Sequence, residues 1–340
     1  MVFIQENSAL LPFNTFKFNA RARYLSIISS LQDLSDLRGS HIFTNQPRLF
    51  LGGGSNILFT RDFDGLVIRN EIKGISVLRE DSDTITLKVG SGENWHSFVM
   101  YCVDRNYGGV ENLSLIPGTI GAAPMQNIGA YGVEVKNVIN EVDAMEISTG
   151  QMRNFTNQEC QFGYRESFFK HEGKDRYFIS SVTLTLTKRN HQFNVSYGAI
   201  KDTLAQMGVT DLSVKAISDA VIAIRRSKLP DPAVIGNAGS FFKNPSVDSE
   251  KYASLKEKFP AIPGFTEENH KITVPAGWLI EQCGWKGKRF DNIGVHPLQA
   301  LVLVHYGGDE GKKLWQLALD IQSSVKQKFN IELQPEVNVI

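Results

Sequence analysis

The nineteen residues from Leu115 to Val133 exclude ordinary helix and strand along most of their length. Gly118, Gly121, Gly129 and Gly132, with Pro117 and Pro124, interrupt any regular hydrogen-bond ladder. The run carries no charged side chain, so it does not read as a solvated linker either. An irregular segment that is also apolar is buried as a rule, and its backbone N–H and C=O groups then need partners. Glycine and alanine let the main chain come close to something flat and polar, such as a pyrophosphate or a ring system. A glycine-rich crossover packed on its own core is the plainer alternative, and contact with a cofactor is the reading preferred here.

At 340 residues the chain is long enough for two or three domains. Its 42% hydrophobic and 21% charged content marks a globular protein. Lys+Arg and Asp+Glu both number 36, so no global field favours nucleic acid or an anionic membrane, and an anionic ligand must be held by locally placed cations. Cys102, Cys160 and Cys283 lack metal-ligand spacing and imply no disulfide framework. The seven histidines are scattered, so no metal site is expected. No window has the length of a membrane span, and the amino terminus lacks the basic and apolar regions of a signal peptide. The expectation is a cytoplasmic protein whose sequons at Asn112, Asn154 and Asn194 are accidental.

Along the chain, residues 24–37 place Leu25, Ile28, Leu31 and Leu34 on one helical face. Residues 48–51 read as a buried strand entering Gly52, Gly53, Gly54, Ser55 and Asn56, and residues 57–59 as a strand leaving it. A Rossmann start needs a helix after its glycines, so that fold is excluded. The alternation over 84–89 predicts a half-buried strand. Trp95, Phe98, Val99, Cys102 and Val103 share one face of a helix. Strands are expected over 142–148, 177–186 and 300–304, and helices over 218–224, 278–283 and 312–329. Glu336 falls in an apolar terminal strand, 331–340, where it reads equally as an edge residue or a site residue.

Three local patterns carry candidate chemistry. Gly52–Asn56 offers unhindered N–H groups and a hydroxyl to phosphate oxygens, and paired with the longer glycine-rich run it suits a dinucleotide held without a helix dipole. In residues 237–245, small residues leave the Ser240 hydroxyl accessible, with Lys243 and Asn244 close by. Residues 162–167 set Arg165 beside aromatic side chains after a glycine, which alone does not outweigh a solvated arginine.

These motifs, in this order, resemble those of the UDP-N-acetylenolpyruvoylglucosamine reductase family over nearly the whole chain. The resemblance rests on residues 52–56, 117–132, 162–165, 228–232, 239–245 and 334–337. It implies an α+β protein: an FAD-binding fold of the vanillyl-alcohol-oxidase (PCMH) type in two subdomains, plus a C-terminal α+β substrate-binding domain. The boundaries it implies are 1–74 with a return strand at 330–340, then 75–216, then 217–329. Non-covalent FAD is expected at Gly52, Gly53, Gly54, Ser55, Asn56, Ile116, Pro117, Gly118, Thr119, Gly121, Ala122, Ala123, Gln126, Ile128, Gly129, Ile179 and Arg225. Tyr197, Lys228, Asn244 and Gln299 match substrate-binding positions, and Arg165, Ser240 and Glu336 match catalytic ones. Tyr197 with residues 170–176 resembles the subgroup carrying an extra tyrosine-bearing loop. Gln334 stands where many members have a second glutamate, and Arg226 makes the arginine assignment ambiguous by one position.

The family reaction has NADPH reduce the flavin and UDP-N-acetylglucosamine-enolpyruvate receive the hydride, in peptidoglycan precursor synthesis by a monomer. Hydride addition to an alkene conjugated to a carboxylate develops an enediolate, which needs positive charge and hydrogen bonds where the charge appears. Arg165 supplies the cation, Glu336 assists at the same carboxylate, and Ser240 matches the proton donor. A protonated Glu336 is favoured by desolvation. Two other readings compete with this one. The first is an alcohol or sugar oxidase on the same flavin scaffold, and the second a sugar-nucleotide-binding protein without turnover.

Overall fold

The computed structural model describes residues 2–267, 270–309 and 311–340. By compactness the chain forms two units. Met1–Ser8, Ala22–Gly53 and Asp64–Ser227 make the first, and Ala9–Arg21, Gly54–Phe63 and Lys228–Ile340 the second.

The first unit is built on a five-stranded antiparallel sheet in the order Met152–Thr156, Ile139–Glu146, Tyr177–Thr187, Thr84–Gly90, Ile75–Glu80. Period-two alternation puts Ile85, Leu87 and Val89 in the core while Thr84, Thr86 and Lys88 stay half-exposed. The helix Trp95–Val103 packs on them through Trp95, Phe98, Val99 and Cys102. Asn94 caps it, its Oδ1 accepting the Ser97 N–H at 2.9 Å. The cap contributes about 1 kcal/mol, whereas each large apolar side chain on that face contributes about 1.5–3 kcal/mol. Packing therefore dominates in a helix too short to persist alone. A second sheet of this unit runs Ile4–Ala9, Arg21–Ile28, Phe63–Asn70, Arg48–Leu51, the last pair parallel.

The expected helical face over 24–37 is corrected here. Arg21–Ile28 is a strand and the helix is Leu31–Arg38. The break comes from Ser30, whose hydroxyl accepts the Asp33 N–H at 3.1 Å while Asp33 accepts the Ser30 N–H at 3.0 Å. That capping box starts a helix at Leu31 and leaves the residues before it to pair with neighbouring strands.

The second unit holds a four-stranded sheet in the order Gly236–Ser240, Val302–His305, Ile293–Val295, Arg289–Phe290. The helix Gly311–Phe329 covers its core with Leu314, Leu317, Ala318, Ile321 and Val325. The shorter helix Ala276–Gln282 adds Leu279 and Ile280. Ile57–Leu58 pairs in parallel with Asn338–Val339. The expected terminal strand is thus only two residues long, and Glu336 precedes it in irregular backbone. The expected helix over 218–224 extends from Val214 to Lys228.

Gly54 is fixed by sterics. Its φ is +62°, and an added Cβ would lie 1.9 Å from the Phe13 carbonyl oxygen. Its own carbonyl accepts the Thr15 N–H at 3.0 Å, so the turn cannot simply swing away. Gly54→Ala is expected to lower the melting temperature of the apoprotein by about 5 °C or more. An unchanged thermal transition in scanning calorimetry would contradict this account of the turn.

Candidate active site

Two glycine runs meet in the first unit. A Cβ on Gly53 would fall 2.8 Å from the Gly118 Cα, and one on Gly52 would fall 2.6 Å from the Thr119 Oγ1. The longer run is pinned to the turn before the helix Trp95–Val103. The Trp95 N–H donates to the Gly118 carbonyl at 3.1 Å, Ile120 to Glu93 at 2.9 Å and Gly121 to Ser91 at 2.8 Å. Among the described residues, the N–H groups of Gly118 and Thr119 meet no acceptor within the chain. Close backbones whose N–H groups lack an internal acceptor suit anionic oxygens. The residues expected at a flavin diphosphate therefore fit such a group. Ala123, Ile128 and Ile179 place their side chains in the apolar core.

The run ends in a hairpin, Gly129–Ala130 against Val133–Glu134. Its two loop residues, Tyr131 and Gly132, have φ of +52° and +79°, the signs that a type I′ turn requires. The buried Asn112 amide donates to the Tyr131 carbonyl at 3.3 Å and to the Asn194 carbonyl at 2.9 Å. Asn194 in turn donates to the Gly132 carbonyl at 2.9 Å. These contacts bring Tyr197 beside Tyr131, edge to face, with ring centroids 5.3 Å apart. The Arg225 charge acts on the Tyr131 phenol, and the buried Arg225 Nε has no partner among the described residues. Burial pushes the Tyr131 phenol up, with the Arg225 charge opposing. Arg226, by contrast, is exposed. The two arginines thus differ in burial.

His96 lies at the start of this segment. Its Nδ1 accepts the N–H of Leu115, a residue held at φ +59°. Burial, then the Arg226 and Arg225 charges, hold its pKa below the usual 6.5. The unfolded chain takes up the proton first. The contribution of neutral His96 is therefore complete above about pH 6.5 and is lost as pH falls through its lower folded value. Cooling of the melting transition between about pH 7.5 and pH 5.5 should be shallower in His96→Gln than in the parent. Parallel slopes would rule out this contribution.

Arg165 sits at φ +57° in the turn Gly163–Glu166, which is closed by reciprocal Gly163 and Glu166 backbone bonds of 3.0 and 3.2 Å. Its guanidinium donates to the Gly129 carbonyl at 2.6 Å and to the Asn127 carbonyl at 3.4 Å. The Tyr164 ring centroid is 5.2 Å from its Cζ.

In the second unit, a bulge lies between Asn237 and Ser240 on the edge strand Gly236–Ser240. Asn237 is buried, accepts the Gly239 N–H at 3.0 Å and donates to the Pro230 and Ile235 carbonyls at 3.1 and 2.9 Å. Gly239 follows at φ +70°. The bulge re-aims the strand so that Ser240 is exposed while Phe241 and Phe242 enter the core. The backbone after Ser240 is zipped to the terminal segment. Glu336 N–H donates to the Phe241 carbonyl at 2.8 Å and Lys243 N–H to the Gln334 carbonyl at 2.9 Å. The Asn56 amide donates to the Glu336 carbonyl at 3.2 Å. Ser240, Glu336 and Asn56 are therefore brought together by the backbone. Asn244 and Gln299 both border the first turn of the helix Ala276–Gln282. Asn244 accepts the Ala276 N–H at 3.0 Å, and the Gln299 Oε1 lies 3.1 Å from where a Cβ on Gly277 would stand. Lys228 is exposed at the end of its helix.

Sequence reasoning missed Tyr131, Asn112, Asn194, His96 and Asn237. The one available signal was the Tyr131–Gly132 pair between apolar residues, a two-residue turn. His96, Asn112 and Asn194 bond partners 19 to 82 residues away, and the Asn237 side chain ties its own bulge. Burial pushes the Cys160 thiol up to about 12 and raises Cys102 further, which disfavours the thiolate at both. No group of metal-ligating side chains and no helix long and apolar enough to cross a membrane occurs among the described residues.

Comparison with known proteins is consistent along the chain. A family profile described as UDP-N-acetylenolpyruvoylglucosamine reductase, C-terminal domain, matches residues 231–340, and one described as FAD binding domain matches residues 29–156. The UDP-N-acetylenolpyruvoylglucosamine reductase of Amoebophilus asiaticus is 53% identical, covering 99% of each chain. The enzyme of that name from Flavobacterium johnsoniae is 46% identical, again over 99% of each. The solved structure of the Thermus caldophilus reductase, 20% identical, superposes with a TM-score of 0.68 over 100% of this chain and 99% of the other, a likeness of fold. The fold class is α+β, and residues 29–156 match an FAD-binding domain.

Proposed function

Because the chain belongs to the UDP-N-acetylenolpyruvoylglucosamine reductase family, we propose that it reduces the enolpyruvyl ether of UDP-N-acetylglucosamine-enolpyruvate to the lactyl ether of UDP-N-acetylmuramate. NADPH is the reductant and FAD the non-covalent cofactor of this reading. The observation that carries it is the pairing in the second unit: an accessible serine presented by a bulge, hydrogen-bonded through its neighbour's backbone to the Glu336 segment. An oxidase on the same scaffold has no need of a proton donor there.

Gly52, Gly53, Gly118 and Thr119 offer backbone N–H groups to the cofactor diphosphate, joined by Gly54, Ser55 and Asn56. FAD, when bound there, would supply the hydride chemistry that links NADPH to the alkene. Arg165 neutralises the charge that grows on the substrate carboxylate, and its planar fork matches two carboxylate oxygens. Glu336 donates a hydrogen bond to the same group when protonated. Ser240 gives its proton to the carbon beside the new C–H bond, since an enediolate is a strong enough base to take it. Lys243, three residues on, eases the transient alkoxide. Lys228, Asn244, Gln299 and Tyr197 hold the nucleotide diphosphate. The three-part division at 74 and 216, with the return strand at 330–340, is part of the same reading, as are a cytoplasmic location and a monomeric state.

The discriminating experiment follows NADPH and oxygen together under turnover. The proposal expects NADPH consumption that depends on the enolpyruvyl nucleotide and yields a product heavier by two hydrogens. Oxygen consumption in place of nucleotide reduction would favour an oxidase.

A further inference from the structure

Arg165 occupies backbone territory that type II turns reserve for glycine or asparagine. Something outside the turn must hold it there, and the neighbours name the residue. Asn127 is fully buried, with φ of +43°. Its side-chain amide donates to the Gly163 carbonyl, the first of the Arg165 turn, at 2.9 Å. Its Oδ1 accepts the Lys136 N–H at 3.1 Å, which ties it to the chain beyond the hairpin. Its own carbonyl accepts from the Arg165 guanidinium at 3.4 Å. One residue thus grips both the root and the head of the arginine. Two further bonds dock the same turn, from the Ser167 hydroxyl to the Met125 carbonyl at 2.6 Å and from the Lys170 ammonium to the Arg165 carbonyl at 3.0 Å. Neither of these reaches the guanidinium.

Asn127 stands between Gln126 and Ile128–Gly129, the positions read above as cofactor contacts. A side chain bonded from that segment to the Arg165 turn fixes the arginine in register with whatever the segment holds. We propose that Asn127 is a positioning residue that orients Arg165 for the substrate carboxylate. The inference rests on the reading of Arg165 as the carboxylate clamp. It has a physical scale, because a shift of about 1 Å in a transition-state contact costs on the order of a hundredfold in rate.

Two variants separate the bonds. Asn127→Asp keeps the acceptor for the Lys136 N–H and loses the donor to Gly163. Asn127→Ser is too short to reach Gly163. With dithionite-reduced holoenzyme and the enolpyruvyl nucleotide, both should slow anaerobic reoxidation by about ten- to a hundredfold. Nucleotide affinity, read from the spectral shift of the oxidised enzyme, should change by less than about threefold. Amide hydrogen exchange over residues 163–167 should quicken in both. In an Arg165→Lys background, Asn127→Ser should add less than about threefold, because a residue acting through Arg165 has little left to orient.

Wild-type reoxidation in both variants would overturn the proposal. So would losses that multiply in the double variant, or loss of flavin from both, which would make Asn127 a cofactor residue. If Arg165→Lys alone reoxidises normally, the clamp reading fails. The exchange measurement then still decides whether Asn127 holds the turn.

Discussion

Ser240→Ala should leave flavin reduction by NADPH at the parent rate and slow reoxidation by the enolpyruvyl nucleotide by at least about a hundredfold, up to about ten-thousandfold. The prediction follows from position as well as residue type. Ser240 is exposed at a bulge whose backbone is held by Asn237, and its hydroxyl is not used in any fold contact among the described residues. Removing one oxygen there leaves Phe241 and Phe242 in the core and the Glu336 tie in place, so stability should hardly change. Substitution by cysteine, a stronger acid of similar size, should restore part of the rate. Equal losses in both half-reactions would point to a damaged cofactor site instead. Two intact half-reactions would remove Ser240 from the mechanism.

Arg165→Lys should cost about a hundred- to a thousandfold in reoxidation rate while nucleotide binding changes little. Lysine keeps the charge but cannot present two parallel donors, and it loses the guanidinium bonds to the Gly129 and Asn127 carbonyls. The backbone strain at φ +57° is the same for either side chain, so any fall in melting temperature should reflect only the lost guanidinium bonds. Wild-type turnover by this variant would end the carboxylate-clamp account. A lowered affinity with unchanged maximal rate would instead make Arg165 a binding residue for the ground state.

Much of the fold was legible because local pattern and tertiary packing agree. The strand over 84–90 alternates as its burial does, and Asn94 followed by five apolar residues on one face announces the helix Trp95–Val103. The misread stretch at 24–37 had a signal too, the capping box of Ser30 and Asp33, but four leucines and isoleucines at helical spacing masked it. The terminal segment misled differently. Its apolar residues pack on the second core, and its pairing is limited to a single bridge from Pro335 to Phe242 and the short strand Asn338–Val339.

The candidate site was legible as motifs but not as supports. Glycines at 52–54 and 118–132 reveal themselves by composition, and Ser240 by its small neighbours. Asn127 and Asn112 are buried amides whose partners lie 9 to 82 residues away, and Asn237 is a buried amide that ties its own bulge. An asparagine in a glycine-rich run looks like any turn residue until its partners are known. The Asn112 sequon shows the same limit: its amide is buried and bonded to the carbonyls of Tyr131 and Asn194.

The most direct test is an anaerobic absorption experiment on the purified holoenzyme. The account predicts flavin bands that fade on adding NADPH and return, without oxygen, on adding one equivalent of UDP-N-acetylglucosamine-enolpyruvate. A colourless protein, or bands that stay bleached until oxygen is admitted, would contradict it.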